Sequence, residues 1–100
     1  MTIPDPETCK TMRDVRDGVD ALDRELVSLL ARRFGYMRAA ARIKQDREDV
    51  RDEARKTAVI EAAKAEALAH GVPVGLVADF WDRLVEASIA YELEEWDRLR

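Results

Sequence analysis

The residues with the clearest chemical potential are an arginine and a lysine that share one face of a predicted helix. Eleven residues separate Arg33 from Lys44. This is close to three helical turns, so the two side chains project from nearly the same face about 16 Å apart. Arg33 also interrupts an otherwise apolar stripe, where a guanidinium is costly unless an anion meets it. Two long cationic side chains at this spacing can converge on a small anionic molecule that lies between them.

A second arginine is too distant to join this pair within one chain. Arg16 lies about 25 Å along the predicted helix from Arg33 and is rotated by roughly a quarter turn. In an antiparallel dimer, however, Arg16 of one subunit can reach the Arg33–Lys44 site of the other. The geometry permits a shared site of this kind without requiring it.

The stripe that contains Arg33 predicts a single helix over residues 12–44. Its positions alternate steps of three and four for more than four heptads, and no proline interrupts them. A helix of about 33 residues spans roughly 50 Å, well beyond the diameter expected of a globule of this size, so a monomer would leave much of the stripe exposed. We therefore predict a homodimer in which the long helices pack around a two-fold axis. The stripe comprises Met12, Val15, Val19, Leu22, Leu26, Leu29, Arg33, Tyr36, Ala40 and Ile43.

A second helix is predicted after a charged break at residues 45–51. It covers roughly residues 53–69, is rich in alanine, glutamate and lysine, and has Asp49 or Asp52 as its N-terminal cap. The segment His70–Pro73 ends it, because glycine favours a helix C-terminus and proline favours the start of the next helix.

A third helix is predicted over about residues 74–98. Ser88 and Glu92 interrupt its apolar stripes, as Arg33 does in the first helix, and their spacing of four residues sets one above the other. The sequence therefore predicts an all-α fold of three helices with one long N-terminal helix, forming an intertwined homodimer. Residues 1–100 are expected to form a single domain.

The composition limits the classes of protein to which this chain can belong. Hydrophobic residues make up 47% and charged residues 38%, with no stretch apolar enough to cross a bilayer. The formal net charge of −4 and the interspersed charges argue against nucleic-acid binding. Residues 1–10 lack the basic start and apolar run of a signal peptide, so we expect a cytoplasmic protein. The single cysteine, Cys9, has no second cysteine or nearby histidine with which to bind a metal, and no cofactor is predicted.

Several short segments together match the pattern of a known family. They are Asp14-Val-Arg16, Asp20-x-x-Asp23, Arg32-Arg33, Tyr36-x-x-Ala-Ala with Lys44 beyond it, Val50-Arg-Asp52, Ser88-x-x-x-Glu92 and the stretch from Tyr91 to Trp96. In these segments the chain resembles the all-helical chorismate mutases, and within them the branch that contains the isochorismate-pyruvate lyases. The resemblance covers nearly the whole chain, and the spacing of Arg16, Arg33 and Lys44 is its most specific part.

The resemblance implies a small dicarboxylate substrate, chorismate or isochorismate, bound between two subunits. Arg33 and Arg16 of the neighbouring subunit would clamp its two carboxylates, since bidentate guanidinium–carboxylate pairs fix orientation as well as charge. Lys44 would hydrogen-bond the ether oxygen, where negative charge develops as the C–O bond breaks. The reaction is pericyclic, so catalysis consists of holding a compact conformer and stabilising developing charge, without nucleophile, metal or general base.

Two candidates on the third helix have roles that depend on the resemblance. Ser88 matches the mutases, in which a serine helps to hold a carboxylate. Glu92 stands where many members have glutamine, close to the ether oxygen, so an ionised carboxylate there would repel the developing charge. Glu92 is therefore expected to help only when protonated, which predicts better mutase activity at acidic pH.

The start of the second helix departs from the family pattern. Lys56 occupies the position of a mutase glutamate that recognises the ring hydroxyl of chorismate, and the lyases also lack that glutamate. Asp52, one turn earlier, can contribute its backbone N–H or its side chain instead. Arg55 is a further substrate-binding candidate because it faces the same charged break.

Three hypotheses about function follow. The first is a chorismate mutase, which Ser88 favours. The second is an isochorismate-pyruvate lyase that makes salicylate and pyruvate, which Lys56 and the end-to-end similarity favour. The third belongs to a different class, a non-catalytic helical dimerisation module.

Overall fold

A computed structural model describes residues 4–100, and over this range the chain folds into helices with no strand. The predicted all-α fold of three helices is confirmed, and each predicted helix lies within one residue of its observed ends. Two single turns of 3-10 helix, Pro6–Thr8 and Arg47–Asp49, complete the secondary structure. The three α-helices are α1 (Met12–Ile43), α2 (Glu53–His70) and α3 (Val74–Leu99).

The described residues divide into two compact units, one that ends at Gly35 and one that comprises Tyr36–Arg100. In the first unit a reciprocal cap starts α1. The backbone N–H of Asp14 donates to Thr11 Oγ1 at 3.1 Å, and Asp14 Oδ2 accepts from the N–H groups of Lys10 and Thr11. These bonds satisfy donors that a helix N-terminus otherwise leaves open. The Lys10 N–H, above all, holds the pKa of Asp14 below its ordinary value.

The apolar stripe of the first unit is exposed in the single chain. The exposed fractions of its six apolar side chains run from 39% at Val15 to 60% at Met12. Exposed apolar faces of this extent are typical of surfaces that bind another protein. The prediction that a monomer would leave much of the stripe exposed is therefore confirmed for these positions. They are Met12, Val15, Val19, Leu22, Leu26 and Leu29.

Helix caps fix the bounds of α2 in the second unit. Asp52 is the N-terminal cap, since its Oδ1 accepts from the backbone N–H of Arg55 at 2.9 Å. Gly71 ends the helix in the left-handed region at φ 70°, which only glycine adopts without strain. Its N–H bonds back to the carbonyl of Leu68. Of the two predicted caps, Asp52 is therefore the correct one.

A small apolar core holds α3 against α2 and the segment before it. Its buried members are Val50, Val85 and Ile89, and the last two share one face of α3 because they are four residues apart. Val59, Leu93 and Trp96 pack around this group. None of the helices in the described part of the chain combines the length and apolarity that a membrane span requires.

Candidate active site

The centre of the candidate site is an ion pair between Lys44 and Glu92. Lys44 is the first residue after α1, and its Nζ lies 2.8 Å from Oε2 of Glu92 on α3. Only 5% of the Glu92 side chain is exposed, against 31% for Lys44. The carboxylate is therefore inside the protein while the ammonium still reaches solvent. Oε2 makes no hydrogen bond of good geometry among the described residues, so the charge of Lys44 is its main compensation.

Ser88 lies one turn before Glu92 on the same buried face of α3. It is only 3% exposed, and its hydroxyl donates to the carbonyl of Leu84 at 2.7 Å. Back-bonding of this kind satisfies a serine inside a helix. A hydroxyl is both a donor and an acceptor and it rotates freely, so the same group can be redirected toward a ligand. Ser88 and Glu92 therefore present a hydroxyl and a carboxyl group on neighbouring turns of α3, and Lys44 reaches the carboxyl group from the end of α1.

The carbonyl end of α1 is held by two residues from the end of α3 and just beyond it. Trp96 Nε1 donates to the carbonyl of Lys44 at 3.0 Å. Arg100 donates to the same carbonyl at 2.6 Å and to the carbonyl of Ala41 at 2.9 Å. We call this arrangement, formed by Trp96 and Arg100, the carbonyl clasp.

Among the described residues, the contacts of Arg55 include neither Lys44 nor Glu92. The Arg55 side chain lines an open groove of about 540 Å³ between α2 and α3. The walls of this groove are mostly apolar and include Val59 and Trp81. Glu66 and His70 also line it, with His70 Nε2 3.3 Å from Glu66 Oε2. Asp52 acts as the cap of α2. The substrate-binding roles of Asp52 and Arg55 stay predictions.

A charge network surrounds Lys56 in the first turn of α2. Lys56 Nζ lies 3.1 Å from Asp82 and 3.2 Å from Glu86, both on α3. Glu86 also accepts two bonds from Arg51, which in turn pairs with Glu53. Asp82 and then Glu86 hold the pKa of Lys56 above its ordinary value. The lysine is therefore kept charged and directed toward α3.

Arg16 and Arg33 belong to the first unit, on α1. Arg16 is exposed, and Arg33 is partly buried although it is charged. That they join Lys44 around one substrate stays a prediction. Among residues 4–100, no group of three or more histidine, cysteine, aspartate or glutamate side chains is arranged to hold a metal ion.

The family model for chorismate mutase type II matches residues 15–93 of this chain. The chain belongs to the chorismate mutase type II family. All seven candidate residues, from Arg16 to Glu92, lie inside the matched segment, whereas the carbonyl clasp lies outside it.

Two curated relatives are similar to this chain over most of its length. Isochorismate pyruvate lyase of Pseudomonas aeruginosa is 26% identical over 95 residues, which cover 95% of this chain and 94% of the relative. The T-protein of Haemophilus influenzae is 30% identical over 84 residues, which cover 83% of this chain. The matched region makes up only 22% of the T-protein.

Sequence reasoning missed the contacts that surround the Lys44–Glu92 pair. The carbonyl clasp was not predicted, because its bonds join residues more than 50 positions apart and involve backbone carbonyls. A partial signal for the Lys56 network existed, since Asp82 and Glu86 are four residues apart and share one face of α3. Which cation would meet that face could not be deduced from the chain order.

The Lys56 network predicts a stability difference that depends on pH. Arg51 first, and then Lys56, lower the pKa of Glu86 below its ordinary value of 4.5. The native state then favours the ionised form, so this stabilisation is complete above the ordinary value and is lost as the pH falls through the lowered pKa. Glu86→Gln should therefore lower the urea midpoint at pH 7, and the difference from wild type should narrow by pH 3.

Glu94→Gln is the matched control for this measurement, because Glu94 is an exposed glutamate on the same helix. It should leave the urea midpoint nearly unchanged at both pH values. A Glu86→Gln deficit that is equally large at pH 7 and pH 3 would contradict the ionic explanation.

Proposed function

We propose that this chain is a chorismate mutase, which converts chorismate to prephenate by a pericyclic rearrangement. The observation that carries the proposal is the Lys44–Glu92 pair, with Nζ and Oε2 2.8 Å apart and Ser88 one turn away. A partly exposed ammonium beside a buried carboxyl group can stabilise negative charge on an oxygen without acting as a nucleophile. This is the requirement of a reaction in which a C–O bond breaks while a C–C bond forms within one molecule.

The proposed mechanism assigns binding to the arginines and charge stabilisation to the lysine. Arg33 and Arg16 of the partner subunit bind the two substrate carboxylates and hold the compact conformer, which supplies the entropic part of catalysis. Lys44 donates to the ether oxygen as charge develops there. Ser88 turns its hydroxyl from the helix carbonyl to a substrate carboxylate. Family membership and the register of α1 support these roles.

The proposal requires a homodimer in which residues 1–100 act as one domain in each subunit. The exposed apolar stripe of α1 supports it, since burying six half-exposed apolar side chains against a second copy removes a large apolar surface from water. The sequence register of Arg16 and Arg33 makes the dimer necessary for the site as well, because one chain cannot bring both arginines to one small ligand.

A second candidate function is isochorismate-pyruvate lyase activity. Lys56 supports it, because the position that is a glutamate in the mutases holds a lysine paired with Asp82 and Glu86. The relative of that name, similar along almost its full length, also favours it. The substrates of both reactions are dicarboxylates with an enolpyruvyl ether, so the arginines and Lys44 would keep their roles.

One assay separates these functions. Purified protein is offered chorismate and isochorismate separately, while loss of chorismate absorbance and appearance of salicylate fluorescence are followed. We expect turnover of chorismate, and Arg33→Ala should reduce kcat/KM by about 100-fold because a bidentate carboxylate contact is lost. The matched control, Arg32→Ala, removes an exposed neighbouring arginine and should retain activity. Salicylate formation without prephenate would favour the lyase, and no turnover of either substrate would favour a non-catalytic dimerisation module.

The shared site predicts complementation between two inactive variants. When Arg16→Ala and Arg33→Ala chains are co-refolded in equal amounts, half of the dimers are mixed, and each mixed dimer contains one intact site. About a quarter of wild-type activity should therefore return. If each site took both arginines from one chain, no mixture would regain activity, so a mixture that stays inactive despite exchange of subunits would contradict the shared site.

The charge of Glu92 predicts the pH dependence of the mutase reaction. An ionised carboxylate beside the ether oxygen opposes the developing charge, whereas a protonated one donates a hydrogen bond to it. Activity should therefore rise from neutral toward acidic pH, and Glu92→Gln, a neutral donor, should raise kcat at pH 7 and flatten the profile. Glu94→Gln should keep the wild-type profile. A wild-type profile that is flat from acidic to neutral pH would argue against this role.

A further inference from the structure

We infer that the carbonyl clasp positions Lys44, so that Trp96 and Arg100 are positioning residues for the reaction. The inference rests on the proposed function, in which Lys44 stabilises charge at the reacting oxygen. Trp96 and Arg100 would touch no part of the substrate. They act on the backbone from which the Lys44 side chain extends.

The clasp satisfies carbonyl groups that the end of α1 leaves open. The last four carbonyls of a helix have no partner within the helix. Arg100 reaches two carbonyls at this end, those of Ala41 at 2.9 Å and Lys44 at 2.6 Å, and Trp96 Nε1 adds a second bond to the Lys44 carbonyl at 3.0 Å. A cation here also complements the negative end of the helix dipole. The carbonyl of Lys44 therefore accepts two hydrogen bonds from the clasp, one from Trp96 and one from Arg100.

The clasp is itself held in place. The Arg100 guanidinium stacks over the Trp96 ring at 4.3 Å from its centre, a cation–π contact that keeps the planar fork in one orientation. Trp96 in turn packs against the apolar core around Ile89. Close by, Arg47 bonds Asp97 at 2.9 Å, which ties the turn after Lys44 to the same part of α3. These contacts hold the Lys44 carbonyl in a fixed position relative to the apolar core of the second unit.

Helix α3 contacts Lys44 both at its side-chain ammonium and at its backbone carbonyl. Glu92 and Trp96 are four residues apart on α3, so Glu92 meets the ammonium while Trp96 meets the carbonyl. A lysine has four rotatable bonds, and a side chain that is 31% exposed is not confined by packing alone. Fixing its backbone reduces the spread of positions that Nζ can occupy. A misplacement of about 1 Å at a reacting centre can cost as much as 100-fold in rate.

The test compares Trp96→Phe and Arg100→Ala with the matched control Arg98→Ala. Arg98 lies two residues before Arg100 and pairs with Glu95. It has no contact with Lys44 in the described structure. Each clasp variant should lower kcat about tenfold and change KM less than twofold, since a charge-stabilising group is displaced in the transition state. Arg98→Ala should leave both constants unchanged.

Two further measurements separate positioning from general damage to the fold. On a Lys44→Ala background, Arg100→Ala should cause no additional loss of kcat, because effects that act through one residue are not additive. Independently of activity, acetic anhydride should label Lys44 several-fold faster in Arg100→Ala than in wild type, with Lys64 of the same molecule as the internal reference. Arg98→Ala should leave the labelling ratio unchanged.

The outcomes distinguish this inference from the proposed function. Faster labelling of Lys44 in a protein that turns over neither substrate would retain the positioning role and reject the proposed function. Unchanged labelling together with unchanged kcat would overturn the positioning role while the function stands. An equal loss of kcat with and without Lys44 would also overturn it, because the clasp would then act on the fold as a whole.

Discussion

The buried carboxylate of Glu92 is the constraint that the rest of the second unit must satisfy. A carboxylate that is 4% exposed cannot be solvated by water, so it must be neutralised by a proton or compensated by a nearby cation. Lys44 is that cation at 2.8 Å. Removing one partner of a buried pair costs about 3–5 kcal/mol, and the partial exposure of Lys44 moves this pair toward the lower end. The pair is therefore weak evidence that the fold is stabilised here and better evidence of a functional site.

The arrangement around this pair differs in kind from that around Lys56. At Lys56, Arg51, Asp82 and Glu86 compensate one another in a partly exposed network, and each charge has an opposite charge within hydrogen-bond distance. This network joins Lys56 on α2 to Asp82 and Glu86 on α3. At Lys44, by contrast, Glu92 Oε2 lies 2.8 Å from the ammonium but makes no hydrogen bond of good geometry among the described residues. Incomplete satisfaction of buried polar groups is typical of sites that complete their bonding with a substrate.

The sequence predicted the features that depend on local pattern. The period of the α1 stripe, a cap at Asp49 or Asp52 and the glycine at position 71 each act within a few residues, so the three helices and their approximate bounds could be deduced. The spacing of Ser88 and Glu92 predicted that both would share a face of α3, which the burial of both confirms. The carbonyl clasp could not be deduced, because it depends on how the end of α1 meets the end of α3. The partners of Lys56 could not be deduced either, because they depend on how α2 meets α3. The 3-10 turn at Arg47–Asp49 has no apolar period and also escaped prediction.

The proposed pericyclic reaction makes few chemical demands on a short chain. A pericyclic reaction forms no covalent intermediate with the protein, so no strained loop, metal centre or nucleophile with its activating base is needed. The reaction needs a few charges held at fixed separations. Helices provide such separations with a small number of residues. The remaining problem is the flexibility of long cationic side chains. In this protein α3 meets that problem twice at Lys44, with a carboxyl group at the ammonium and the clasp at the carbonyl.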